Sequence, residues 1–230
     1  MKKKQKQKLL IVAAHPDDEI LGCGGSLARL AKEGCEVYTL ILGEGITSRD
    51  EKRERKKKEK DINELKNQTC KANKIIGVKD IFIYDFPDNR FDTMAILDIV
   101  KLIEKIKNKI KPDVIYTHYK GDLNIDHRIT YNAVLTACRP TKKETVKEIY
   151  SFETPSSTEW RFPNTFWPNV FIDITGFMDV KIKALKKYKS EMRNFPHPRS
   201  ERSIKAIATK WGSVVGVNYA EAFEAIRIIK

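Results

Sequence analysis

The chain lacks any apolar run near the ~18 residues needed to cross a bilayer. Its most hydrophobic early stretch, Leu9-Leu10-Ile11-Val12-Ala13-Ala14, is far shorter. Lys2-Lys3-Lys4-Gln5-Lys6 ahead of it resembles the basic start of a secretory signal, but the run passes straight into His15-Pro16-Asp17-Asp18 with no cleavage-type segment. Residues 1–7 therefore read as a flexible basic tail before a first buried strand. Cysteine is scarce as well: Cys23, Cys35, Cys70 and Cys138 include no close pair. That spacing excludes a thiolate metal site and a disulfide framework, and points to reduced thiols in a cytoplasm. No internal repeat and no low-complexity linker divides the 230 residues, so a single domain over 1–230 is expected.

Acidic residues are in deficit, with 44 Lys and Arg against 31 Asp and Glu, a formal charge of +13. The excess does not form a nucleic-acid signature, because no reading motif or aromatic–basic interleaving accompanies it. The densest run, Lys52 to Lys60, contains Glu54 and Glu59 and follows Glu51. Mixed charge at this spacing suits a solvated helix face, with attraction of an anionic substrate or membrane surface as the alternative use. No nucleic-acid partner is expected, and the 41% hydrophobic content is that of a globular protein.

What is present is an alternation of strand and helix patterns. Strands are expected at Leu9–Ala14, Val37–Leu42, Asp80–Tyr84 and Val114–Thr117, with helices at Glu19–Lys32, Arg49–Ile76 and Met94–Ile110 between them. Further strands are read at Val146–Phe152 and Val170–Ile174, and helices at Met178–Met192 and Ser203–Trp211. This order predicts an α/β fold: a Rossmann-like, mostly parallel sheet flanked by helices. The active site of such a sheet lies at the C-terminal ends of its strands.

The chemistry-bearing segments fall at those ends. His15, Asp17, Asp18 and Glu19 follow the first strand, where the chain can aim His15 and Asp18 at one point with Asp17 beside them. Capping of the following helix is the alternative use of the acids. A catalytic zinc needs three protein ligands and an open position, and only His118, His127 and His197 are left to add a histidine. Asp126-His127, after the fourth strand, should face His15 across the sheet edge.

Ala14-His15-Pro16-Asp17-Asp18-Glu19, followed by Gly22-Cys23-Gly24-Gly25, resembles the first signature of the PIG-L/LmbE-type de-N-acetylases, and Asn124-Ile125-Asp126-His127 resembles the second. The resemblance is good over residues 8–135. It implies zinc, with other divalent metals acceptable to such a site, held by His15, Asp18 and His127, and Asp17 as general base on the attacking water. It also implies that Asp126 orients a ligand histidine. Asn124 stands where the family commonly has a histidine that assists electrostatically; asparagine donates a hydrogen bond but carries no proton. Asn124 doing a reduced job is the expectation, with His118 or His197 reaching in, or the metal carrying more, as alternatives.

On the substrate side, the resembling enzymes use an acid after the third strand to hold sugar hydroxyls, which singles out Asp88 and, less directly, Arg90. Arg199, in the polar stretch His197-Pro198-Arg199-Ser200, is a candidate for binding a phosphate or uronate, on a segment that could equally form a contact between copies of the chain. Trp160 could stack on a sugar face or serve as packing, and the Gly43-Glu44-Gly45 rim could contact substrate. Asp122 has no assigned role. The implied reaction is removal of the N-acetyl group from an N-acetylglucosamine-like sugar or glycoconjugate. An O-deacetylase, a thiol-conjugate amidase or a non-catalytic sugar-binding module are the competing readings.

Overall fold

The computed structural model describes residues 6–49 and 53–230. Most of the basic tail therefore lies outside the described residues. The apolar run after it becomes β1 (Lys8–Ala13), which is buried from Leu9 onward. Side chains alternate faces along a strand, and β1 uses both. Leu9 and Ile11 join one hydrophobic cluster while Leu10 and Val12 join another on the opposite face. A strand apolar on both faces demands cover on both sides, and helices supply it.

α1 (Asp18–Lys32) leads to β2 (Glu36–Gly43), and α2 (Glu59–Ile75) leads to β3 (Asp80–Phe86). α3 (Ile96–Ile110) precedes β4 (Val114–His118), which is followed by α4 (Ile125–Ala137) and β5 (Glu148–Phe152). β6 (Val170–Asp173), α5 (Met178–Leu185), α6 (Glu201–Val215) and β7 (Ala220–Ile228) complete the chain. The seven strands form one sheet in the order β3-β2-β1-β4-β5-β7-β6. Neighbours from β3 to β5 are parallel, and β7 pairs antiparallel with both β5 and β6. The expected mostly parallel α/β sheet is thus the observed one.

Strand order reverses between β1 and β4, so the connections leaving them diverge and open a crevice at their carboxyl ends. His15 follows one of these strands and His118 ends the other. α1, α2, α5 and α6 cover the Leu9 and Ile11 face, and α3 and α4 the other.

Four elements differ from expectation. The helix read from Arg49 onward begins only at Glu59; residues 50–52 of that reading lie outside the described ones, and Arg53 and Arg55 instead reach back to the buried Glu44. The helix read over Met178–Met192 ends at Leu185, since the chain turns to send the Tyr188 hydroxyl to Glu19. α4 and β7 carry no clear apolar periodicity, because each buries polar residues: Asp126, His127 and Thr130 in α4, and Glu221 in β7.

Candidate functional site

β1 ends in Ala14, and the chain turns at His15-Pro16 into α1. Asp17 occupies the N-cap position of α1 with a left-handed φ of 100°, yet its side chain makes no capping hydrogen bond. This backbone form is uncommon outside glycine. It is supported by the Asp17 N–H, which donates to Glu19 Oε2 at 3.0 Å. Glu19 is fixed in turn, accepting from Asn73 Nδ2 at 2.8 Å and from the Tyr188 hydroxyl. Burial pushes the Glu19 carboxyl up to about 7 against these donors. The Gly45 rim packs onto the same turn: a Cβ there would lie 2.6 Å from Pro16 Cδ, and Gly45 has a φ of +72°. Only glycine suits both demands.

His15, Asp18 and His127 converge, with one ligand-type atom from each lying within 4.8 Å of the others. Asp18 Oδ2 is 3.4 Å from His15 Nδ1 and 3.3 Å from His127 Nε2. Each imidazole has its other nitrogen beside a carboxylate. His15 Nε2 lies 2.9 Å from Asp126 Oδ2, whose other oxygen accepts the Phe91 N–H, and 3.3 Å from Asp88 Oδ1. His127 Nδ1 lies 3.1 Å from Asp122 Oδ1. A carboxylate beside the outer nitrogen favours a proton there, so in the neutral ring His15 Nδ1 or His127 Nε2 is the nitrogen left to serve as a metal donor.

The centre favours positive charge. Burial opposes an imidazolium, but the facing carboxylates outweigh it, holding His15 well above its ordinary value and His127 up at about 9. Burial likewise opposes the Asp18 carboxylate, yet His127 and its neighbours hold it well below the usual range. Asp18 Oδ1 is buried with no hydrogen-bond partner, which is costly unless something electropositive meets it. Two imidazole nitrogens and a carboxylate that keeps one oxygen unpartnered match the donor set of a catalytic divalent metal, and the residues fit zinc.

Asp17 lines a cleft of about 170 Å³ next to this cluster, together with His15, Asp88, Asn124, His127 and Arg199. Burial first, then the neighbouring carboxylates, raise Asp17 well above the ordinary range, with Arg199 pulling the other way. Asp88 is buried and accepts from the Ser48 N–H at 3.0 Å and the Ser48 hydroxyl at 2.6 Å. Asn124 caps α4 by accepting the Asp126 N–H at 2.8 Å, and donates through Nδ2 to Asn89 Oδ1 at 2.8 Å. Arg90 is not among the residues lining the cleft.

The two alternative histidines are engaged elsewhere. His118 is stacked behind His127 with ring centres 3.8 Å apart, and its Nε2 accepts the Ala14 N–H at 2.9 Å. Burial, then the His127 charge, push it down to about 3. His197 accepts the Arg199 N–H and packs edge-on to Trp160.

Asp122, unassigned from sequence, is buried under His127. It accepts from Thr158 Oγ1 at 2.6 Å, from the Asn124 N–H at 2.8 Å and from the Ser157 hydroxyl. Burial works against its charge, but His127 and these donors bring it down to about 2. The one sequence signal for it was local: an Asp accepting the N–H two residues on is an Asx-turn. Glu191, which also lines the cleft, carried no signal, since it falls inside the stretch read as helix.

Comparison with known proteins gives this geometry a family. The profile described as PIG-L: GlcNAc-PI de-N-acetylase matches residues 10–138. The chain belongs to the PIG-L family. It is 33% identical to the uncharacterized deacetylase YaiS of Escherichia coli K12 over 192 residues, 81% of this chain and 92% of that one. Against the diacetylchitobiose deacetylase of Thermococcus kodakarensis it is 27% identical, with 96% of this chain and 83% of the relative covered. The structure of N,N'-diacetylchitobiose deacetylase from Pyrococcus horikoshii superposes with a TM-score of 0.77 at 22% identity, covering 96% and 84% of the two chains; that likeness speaks for the fold. The PIG-L match contains His15, Asp17, Asp18, Asp88, Asn124, Asp126 and His127, whereas Ser156, Glu191 and Arg199 lie beyond it.

Proposed function

We propose that the protein is a zinc-dependent hydrolase that removes the N-acetyl group from an N-acetylglucosamine-type sugar, releasing acetate and a free amine. The observation that carries this reading is the convergence of His15, Asp18 and His127, with one buried oxygen of the Asp18 carboxylate left unpartnered and Asp17 beside them on an open polar cleft. PIG-L membership and the deacetylase relatives support the choice of reaction.

In this reading His15, Asp18 and His127 hold the ion, which when bound supplies Lewis acidity for the acetyl carbonyl and the attacking water. Asp17, beside the cluster on the cleft wall, takes the proton from that water and passes it to the departing nitrogen. Asp126 and Asp122 hold the histidine rings in the donor tautomer. Asp88 offers a carboxylate to sugar hydroxyls from the third strand end. Asn124 contributes as a cap and as an amide on the cleft wall, and acid catalysis then falls to Asp17. The same proposal takes the chain as one domain built on one sheet and, with all four cysteines unpaired, gives it a cytoplasmic setting.

The test combines metal analysis with acetate release from a panel of N-acetylated and O-acetylated sugars. Wild type is expected to carry a stoichiometric divalent metal and to act on an N-acetyl sugar. Asp17→Asn is expected to keep the metal and lose about a thousandfold in kcat. Full activity in Asp17→Asn, or a wild type that binds no divalent metal, sinks the reading, and release from O-acetyl sugars alone replaces it.

A further inference from the structure

Asp17 has an unusual combination of duties. It occupies an N-cap position but gives its side chain to no helix N–H, and its backbone sits at φ 100°. A carboxylate so placed is free to rotate about χ1 and χ2 unless another group fixes it. Among the described residues, one hydrogen bond reaches its carboxylate: Arg199 Nη1 donates to Oδ2 at 2.8 Å.

Arg199 is itself held from several directions. Its Nε donates to Ser156 Oγ at 2.7 Å, and Nη1 also approaches Glu191 Oε2 at 3.2 Å. Its backbone N–H donates to His197 Nδ1 at 3.1 Å, and the next residue, Ser200, caps α6. The guanidinium is thus locked between the loop after β5 and the segment joining α5 to α6, with its charge already facing two carboxylates. A substrate anion would have to compete with both. A planar guanidinium fixed at several nitrogens transmits its position to a partner far better than a flexible ammonium does.

We propose that Arg199 is a positioning residue for Asp17: it anchors Oδ2 so that Oδ1 is presented to the cleft for proton transfer. It does not act as a receptor for an anionic group on the substrate. The inference rests on the proposed function, since it assumes that Asp17 is the base. It also gives the C-terminal third of the chain a part in the chemistry, because Arg199, Glu191 and Ser156 all lie outside the segment that carries the proposed metal ligands.

The experiment measures kcat and KM separately for wild type, Arg199→Ala and Arg199→Lys, on one uncharged N-acetylglucosaminide and on one with a carboxylate aglycone. Metal content and thermal melting are recorded for each protein. Arg199→Ala is expected to lose about a hundredfold in kcat on both substrates, the scale of a misplaced catalytic group, with KM little changed and the metal retained. Guanidinium at a non-denaturing concentration should raise kcat of Arg199→Ala but not of wild type or Asp17→Asn. Arg199→Lys, which keeps a single point contact, should fall between. Should alanine unfold the protein, the kcat of Arg199→Lys against wild type decides, and an unimpaired lysine variant overturns the proposal. A loss seen only as raised KM on the carboxylate substrate overturns it in favour of anion binding, and a folded, metal-loaded Arg199→Ala that guanidinium cannot rescue overturns it too. If wild type releases no acetate at all, the functional reading falls first; an active wild type, an inactive Asp17→Asn and an unimpaired Arg199→Ala remove the positioning role alone.

Discussion

His15 and His127, the proposed metal ligands, illustrate how little of such a site lies in its ligands themselves. Each ring can present either nitrogen, and a carboxylate stands behind each to bias the choice: Asp126, hydrogen-bonded to His15, and Asp122, 3.1 Å from His127 Nδ1. Asp122 is the more informative of the two, because it also accepts hydrogen bonds from Thr158 and from the backbone of Asn124. Replacing it by alanine frees the His127 ring to rotate and removes the acceptor that fixes its tautomer. Asp122→Ala is expected to weaken metal binding by about 10- to 100-fold, read by competition against a chromogenic chelator. An unchanged affinity would show that stacking on His118 alone suffices to hold the ring.

At the scale of elements, α1 is the instructive case. Its backbone departs from helical geometry at Cys23, with φ −144° and ψ 15°. The break leaves donors and acceptors without intrahelical partners in the protein interior, and two distant residues satisfy them. Glu221 of β7 accepts from the Gly25 N–H at 2.9 Å and the Ser26 N–H at 2.7 Å, while Lys181 of α5 donates to the Leu21 carbonyl at 2.8 Å. Lys181 and Glu221 also pair at 2.6 Å, and both are buried. Removing one member of such a pair strands the other's charge. Lys181→Met should therefore destabilise the fold by about 3–5 kcal/mol, measured by urea unfolding. Adding Glu221→Gln should recover part of that loss, since the neutral amide still accepts one backbone hydrogen bond. Strictly additive losses would show that the pair is not coupled.

At the scale of the whole molecule, burial sorts the four thiols. Cys23 and Cys138 are buried, and burial raises both, Cys138 to about 12, so little thiolate forms at neutral pH. Cys70 is exposed and Cys35 is intermediate. A thiol reagent on the native protein should modify Cys70 first and Cys35 more slowly, sparing Cys23 and Cys138 until the chain is unfolded. Peptide mapping checks this, and early labelling of Cys23 would place the α1 break in contact with solvent. The sheet order is likewise a property of the whole molecule. It sets β1 beside β4 at the reversal point, and so brings His15 within reach of His127 although the two are far apart in sequence.

Much of this was legible in the sequence, for a physical reason. A strand buried on both faces announces itself as a continuous apolar run, and acids and a histidine at its end have few structural uses, so β1 and the His15-Asp17-Asp18 turn could be read directly. The parallel α/β architecture followed from the alternation of strand and helix, and the PIG-L signatures were short and contiguous. Tertiary structure decided everything that depends on a partner from elsewhere in the chain: Asp122 beneath His127, Glu221 and Lys181 at the α1 break, and Arg199 on Asp17. It also drew out α4 and β7, whose buried polar residues erase the apolar periodicity that sequence reading depends on. Covalent neighbours and local periodicity are written along the chain. Which distant charge faces which is set only when the sheet closes and excludes water, since that is when a buried donor or carboxylate must find its partner.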